Sequence, residues 1–352
     1  MSARSDSFEY DSAMTDQTIP RVTLASVAAE AGVSLATISK VLNGRPDVAA
    51  PTRERVEALL SARGYSRRIG ANGSRGELIE LVFHELQDVW SMEIIAGVES
   101  VAQQHGLSLV LTASGTRHAP DPEWIEGAMR RRPLGIVLVF SDLAPKYRAQ
   151  LAARSIPFVI IDPAGDPSPD VASVGSANWS GGLQATRHLI DLGHQRIAAI
   201  TGPEDMMCSL ARLDGYRSAM NAAGLVIDPA WIRYGDFHVE GGRARAMDLL
   251  MLPQPPSAIF AGSDLQALGV YEAARSLGIR VPEELSVVGY DDIKVAQWVS
   301  PRLTTVHQPL GRMGAEATRI VIEMAKEPPS TTPRIDLATH LVIRESTAPP
   351  LR

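Results

Sequence analysis

From Glu77 onward, short apolar runs alternate with amphipathic stretches of helical period. The runs include LIELVF, LSLVLTAS, LGIVLVFSD, IPFVIIDP, RIAAITGP, SAIFAGSD and LSVVGYDD; between them lie SMEIIAGVESVAQQHG, LQATRHLIDLG, CSLARLDGYRSAMNAAG and LQALGVYEAARSLG. Such βα repetition has one economical solution, parallel sheets covered by helices on both faces. The strands are too many for one comfortable sheet, so two stacked α/β lobes are expected. Ligands in such folds sit at the carboxyl ends of the strands, which gives weight to the residues just after each run.

The front of the chain follows another pattern. In VTLASVAAEAGVSLATISKVLNG, Val22 to Gly44, Thr23 is a candidate cap for a helix with Leu24, Val27 and Ala28 on one face. Ser34 caps the next helix, whose apolar positions Leu35, Ile38, Val41 and Leu42 keep helical spacing and which Asn43-Gly44 stops. A third helix starts at Pro51-Thr52, buries Val56, Leu59 and Leu60, and ends at Gly64. Ala28 permits a close helix approach and Gly32 supplies the positive φ of a tight turn. Helix spacing alone leaves two readings open, an ordinary αα-hairpin or a helix-turn-helix. Ser66 to Gly76, SRRIGANGSRG, reads as a linker, and residues 1–20 as a disordered leader.

Charge separates these segments. The net charge of the 352 residues is −6, yet residues 21–68 carry eight Arg/Lys against four acids. The leader carries one arginine against four acids, which leaves −7 for the remainder. The basic part is the helical part, as nucleic-acid binding requires. Apolar residues make up 45 % and charged ones 21 %, so a packed core is expected. No apolar run is long enough to span a membrane, and the polar front lacks an export signal. One cysteine, Cys208, excludes an internal disulfide and a thiolate zinc cluster, and is read as a buried small side chain in a reducing cytoplasm. The eight histidines show no HxxxH spacing. There is no GxSxG elbow, Walker loop or GxGxxG after a strand, so an enzyme is not expected and no cofactor or metal is expected either.

Both halves resemble the LacI/GalR family of bacterial repressors. The head matches through VTLASVAAEAGVSLATISKVLNG and VAAPTRERVEALLSARGY; the rest matches through GHQRIAAITGP, RLDGYRSAM, SAIFAGSDLQALGVYEAARSLGI, LSVVGYDD and PRLTTVHQP, over roughly residues 21–345. The resemblance implies an all-α helix-turn-helix DNA-binding head at 21–65 and a hinge at 66–76. After them it implies an α/β sensor at 77–345 with two Rossmann-like parallel-sheet lobes, as in periplasmic binding proteins. The lobes are placed at about 77–176 with 306–332 and at about 177–303 with 333–345, crossing near Ser176, Thr304 and Pro333. In the family, the front of the recognition helix reads bases; here that is Leu35, Ala36 and Lys40. The first two can touch thymine methyls, whereas Lys40 can donate to guanine or to phosphate. Packing within the head is the alternative for Leu35. Thr23, Ser34, Thr37, Ser39, Asn43 and Thr52 fall at phosphate-contact positions. The hinge departs from the family: it is about three residues shorter, without its proline or its wedge leucine. Ile69 is the remaining candidate wedge, and Arg67 and Arg68 can track the DNA backbone or minor groove.

In the sensor, Arg212 matches the family's effector-binding arginine and Asp291 its carboxylate partner, a pair suited to polyols. A structural ion pair is the alternative. Phe237 stands at a sugar-stacking position, with core packing as its alternative. Ser263 replaces a common Asn, so that contact is altered or lost. His84, Glu85 and Trp90 follow the first strand of the sensor, and Asp162 follows IPFVII. FHELQDVWSMEI hints at xylose- or arabinose-type oligosaccharides. The expected function is a dimeric repressor that binds a palindromic operator in double-stranded DNA and is released by a small sugar. A sugar-binding protein or a glycoside-acting enzyme is the alternative.

Overall fold

The structure, a computed structural model, describes residues 24–42, 48–62, 76–86, 89–115, 120–140, 142–327 and 329–351. The leader, Thr23, Asn43, Arg67, Arg68 and Ile69 lie outside the described residues. The chain divides into two units, residues 1–74 and 75–352.

The first unit contains α1 (Leu24–Ala31), α2 (Leu35–Leu42) and α3 (Ala50–Ala62). Val27, Ala28 and Ala31 from α1, Ile38 and Val41 from α2, and Val56 and Leu60 from α3 form its core. The turn after α1 is a Schellman cap: Val33 N–H donates to the Ala28 carbonyl at 3.0 Å and Gly32 N–H to that of Ala29 at 3.3 Å. Gly32 has φ +66°, which a side chain would strain. Val33 then packs against the core. Ser34 caps α2, its Oγ accepting from Thr37 N–H at 3.1 Å. Two helix ends are thus satisfied within three residues, which is why so short a turn suffices.

The second unit begins with β1 (Leu78–Phe83), α4 (Ser91–Gln104), β2 (Ser108–Ala113), α5 (Pro122–Arg131), β3 (Gly135–Val139), α6 (Pro145–Ala152), β4 (Phe158–Ile161) and β5 (Ala172–Ser176). It continues with α7 (Asn178–Asp191), β6 (Ile197–Thr201), α8 (Met207–Ala222), β7 (Ile232–Tyr234), α9 (Val239–Leu250), β8 (Ala258–Ala261), α10 (Asp264–Leu277) and β9 (Ser286–Asp291). Last come α11 (Val295–Trp298), β10 (Thr304–His307), α12 (Leu310–Lys326), β11 (Arg334–Leu337) and β12 (His340–Val342). Two six-stranded sheets result, in the orders β11-β5-β4-β3-β1-β2 and β12-β10-β9-β8-β6-β7. All neighbours run parallel except β10 and β12. The strands at the centre of each sheet are buried throughout, since helices cover both faces.

The chain changes sheet three times, and two of the changes fall later than expected. The first lies at Ala177, as its sequence position near Ser176 suggested. The second was expected near Thr304, but β10 pairs with β9 in the second sheet, so the change comes at Gln308–Pro309. The third was expected near Pro333, but β11 pairs with β5 in the first sheet, so the change comes at Ala338–Thr339. Residues 304–307 therefore belong to the second lobe and 334–337 to the first. Backbone pairing decides this, and local apolar pattern does not encode it.

Candidate functional site

In the first unit, α2 turns Ile38 and Val41 inward and leaves Ser34, Leu35, Ala36, Ser39 and Lys40 exposed, with Thr37 and Thr52 half-buried. Leu35 is 54 % exposed and outside the core, so packing within the head does not account for it. An exposed leucine beside Ala36 at the start of a helix, held by a three-residue turn and followed by an exposed lysine in the last turn, is compatible with a major-groove reader.

In the second unit, the carboxyl ends of both sheets face one cleft, and Arg212 of α8 lies at its centre, buried. Arg212 Nε donates to Asn178 Oδ1 at 2.8 Å, Nη1 to the Gly262 carbonyl at 2.6 Å and Nη2 to Gln308 Oε1 at 3.0 Å. Gln308 Nε2 in turn donates to Asp162 Oδ2 at 2.9 Å. Gln308 thus ties Arg212 in the second lobe to Asp162 in the first. Asp291 Oδ1 lies 3.8 Å from Arg212 Nη1, an ion pair longer than a hydrogen bond. The guanidinium also stacks over Tyr290, 3.7 Å from the ring centre, and sits 5.5 Å from that of Phe237. Burial disfavours its charge, but Tyr290, Cys208, Asp291 and Asp162 outweigh this and raise its pKa. Burial also pushes the Asp162 carboxyl up to about 6, against the pull of Arg212, Gln308 and the Ser176 N–H. The Cys208 thiol is pushed up to about 12 by burial, so it is an inert, small, buried side chain.

Asp162, Phe237 and Asp291 share a backbone feature: φ is +43°, +71° and +112°. Positive φ in non-glycine residues costs free energy and collects at binding sites. Gly202 makes room for Phe237, because a Cβ there would stand 2.0 Å from the ring. Ser263 is committed locally. Its Oγ accepts from Gln266 N–H at 3.1 Å as the cap of α10 and donates to the Phe237 carbonyl at 2.9 Å. It holds Phe237 in place while bordering the cleft.

The sequence-derived site residues fall into three hollows, two of which share Trp90, Phe140 and Phe237. Trp90, Phe237, Ser263, Arg212 and Asp291 line the central one, about 30 Å³ in volume. His84 and Glu85 are not among them. They line a neighbouring hollow with Trp90 and Phe237, where Glu85 Oε1 lies 3.1 Å from His84 Nε2 and 3.5 Å from His238 Nε2 of the opposite lobe. Asp162 lines a third, larger cavity. Phe140, Asn178, Gln308, Leu265 and Leu310 also border these hollows and were not read from the sequence. Phe140, whose ring centre is 4.9 Å from that of Trp90, directly follows β3, and Gln308 directly follows β10. Their positions after strands were the available signal.

Rings on two sides of a buried arginine and two carboxylates can hold a small polyhydroxylated ligand. A helix-turn-helix head in one chain with such a cleft defines a ligand-responsive, DNA-binding transcriptional regulator. A model of bacterial regulatory proteins of the lacI family matches residues 23–68, and one of a periplasmic binding protein-like domain matches residues 186–347. The HTH-type transcriptional regulator CelR of Thermobifida fusca is 36 % identical over 337 residues, 93 % of this chain and 98 % of that protein. A solved CelR–cellobiose complex superimposes with TM-score 0.70 at 35 % identity, covering 93 % of this chain and all of that one. The lac repressor dimer bound to operator and the anti-inducer ONPF gives TM-score 0.78 at 28 % identity, covering 93 % and 99 %. The chain belongs to the lacI family of bacterial regulatory proteins. Among the described residues no helix is long and apolar enough to cross a membrane.

Proposed function

We propose that this regulator is a cytoplasmic, dimeric repressor that holds a near-palindromic operator and releases it when a sugar fills the cleft. The observation that carries the sugar reading is the buried Arg212–Gln308–Asp162 chain, flanked by Asn178 and Asp291 and bounded by Trp90, Phe140 and Phe237. Forked donors, carboxylate acceptors and ring faces together match a pyranose, which has hydroxyls at its edge and C–H bonds on its faces. Its similarity to a protein solved with cellobiose favours glucose- or xylose-type oligosaccharides as first candidates.

A sugar can shift operator affinity only by its preference for one lobe arrangement, typically about 1–3 kcal/mol of coupling. A thermal-shift screen of mono- and oligosaccharides, followed by operator release measured with each stabilising sugar, tests the reading. A sugar that raises the melting temperature should also weaken operator binding. If none stabilises the protein, or if stabilising sugars leave operator binding unchanged, the proposal fails.

On DNA, Thr37, Ser39 and Thr52 suit phosphate contacts, and Leu35, Ala36 and Lys40 suit base contacts. One head offers few phosphate contacts, so tight binding needs two heads on a two-fold site. Lys40→Ala should cost about 1–3 kcal/mol on the preferred operator and much less on unrelated DNA. Equal losses on both, measured by fluorescence anisotropy at one fixed salt concentration, would assign Lys40 to phosphate. Leu35→Ala should relax selectivity at a thymine rather than weaken binding to all sequences.

A further inference from the structure

The two hollows around Phe237 hold about 30 Å³ each, while the cavity at Asp162 measures about 520 Å³, within the usual span of ligand sites of roughly 300–1,000 Å³. It is lined by residues of both lobes, including β5 and β11 of the first and the amino ends of α7 and α8 of the second. We propose that this cavity is a second sugar subsite, so that the effector is a neutral disaccharide or longer oligosaccharide with one ring at Phe237 and the next beside Trp179. The inference rests on the sugar reading of the cleft.

Four observations carry it. Asp162 lines the cavity and accepts from Gln308, which borders the central hollow, so one hydrogen bond joins the linings of the two spaces. Ser176 lines the cavity, and its buried hydroxyl finds no hydrogen-bond partner in the protein. Trp179 lines it with 46 % of its surface exposed, an aromatic surface available for stacking. Asp336 supplies a further acceptor, packed against the bare backbone of Gly175, where a Cβ would stand 2.6 Å from its Oδ1.

The charges select a neutral ligand. Asp162, Asp166 and Asp336 oppose an anion, and Arg334 is already engaged by the carbonyls of Pro167 and Ser168. The amino end of α7, where Ala177 provides no side-chain cap, opposes a cation and offers N–H donors. Acceptors, donors and a ring face without net preference for either charge describe a polyol.

Calorimetric titration of the full chain with glucose, cellobiose and cellotriose, and with xylose, xylobiose and xylotriose, tests the inference. One series should show its disaccharide binding at least tenfold tighter than its monosaccharide. Trp179→Ala and Asp336→Asn should each cut that advantage below threefold and leave the monosaccharide within twofold of the parent. Trp179 is half exposed, so an unchanged melting temperature should accompany its loss. If monosaccharide and disaccharide bind equally, or the preference survives both substitutions, the second subsite is wrong and the sugar reading stands. If no sugar of either series binds, both are wrong.

Discussion

Replacing Arg212 by alanine should destabilise the sensor by about 3–5 kcal/mol before any sugar is added, because it leaves buried carboxylates without their cation. The loss should appear as a fall of roughly 10 °C in the calorimetric melting temperature. Three acceptors lose their donor at once: Asn178 Oδ1, the Gly262 carbonyl and Gln308 Oε1. Asp291 loses an ion-pair partner, and Asp162 loses the attraction that now restrains its pKa. A melting temperature within 2 °C of the parent would mean that these groups find other partners or water. The same geometry makes Arg212→Ala a poor test of sugar binding, since a lost response would follow from either cause. Phe237→Ala separates the two. Its half-buried ring borders the central hollow without bearing a hydrogen-bond network, so sugar affinity should fall about tenfold, ~1.4 kcal/mol, with operator affinity kept.

Much of this site was legible because chemistry and chain position agree. Asp162 and Asp291 are acids at the carboxyl ends of strands β4 and β9, and Phe237 is a lone aromatic residue in a polar loop; each stood out for that reason. Gln308 and Asn178 did not, although they hold Arg212 in place. Neutral amides carry no charge pattern, and their role arises only when β10 and β5 deliver them to the same guanidinium. Phe140 was hidden in another way, since it ends the apolar run LGIVLVF and there looks like core. The lobe boundaries show the limit of periodicity. β10 (TTVH) and β11 (RIDL) are short segments of mixed polarity, and only their hydrogen bonds to β9 and β5 assign them to opposite sheets. In the head, by contrast, Gly32 and Ser34 act locally, so their sequence positions alone specify the turn that the structure contains. Leu35 shows that apolar spacing alone misplaces a side chain: its spacing matches Ile38 and Val41, yet it is exposed and outside the core that they share.

Asp162→Asn should stabilise the sugar-free protein near pH 7.5 and weaken its response to sugar. The Asp162 carboxyl titrates at about 6 in the fold against an ordinary value near 3.8, chiefly because burial penalises its charge. Between those values the folded chain keeps a proton that the unfolded chain has lost. Stability contributed by this group is therefore present below about pH 4, declines as pH rises toward 6, and stays lost above it. The penalty above pH 6 is at most ~3 kcal/mol, and an asparagine, always neutral, avoids it. Denaturation by urea at pH 4 and pH 7.5 should show the variant more stable than the parent at the higher pH and nearly equal at the lower. An asparagine less stable than the parent at pH 7.5 would mean that Arg212, Gln308 and the Ser176 N–H hold the carboxylate more firmly than burial opposes it. The sugar should report the opposite preference. Ionised Asp162 offers two oxygens to hydroxyl donors where an amide offers one, so parent affinity should fall as pH drops below 6 while the variant binds weakly at both pH values. A group that costs stability in the empty cleft and recovers it by accepting ligand hydroxyls makes ligand binding and folding stability depend on the same proton.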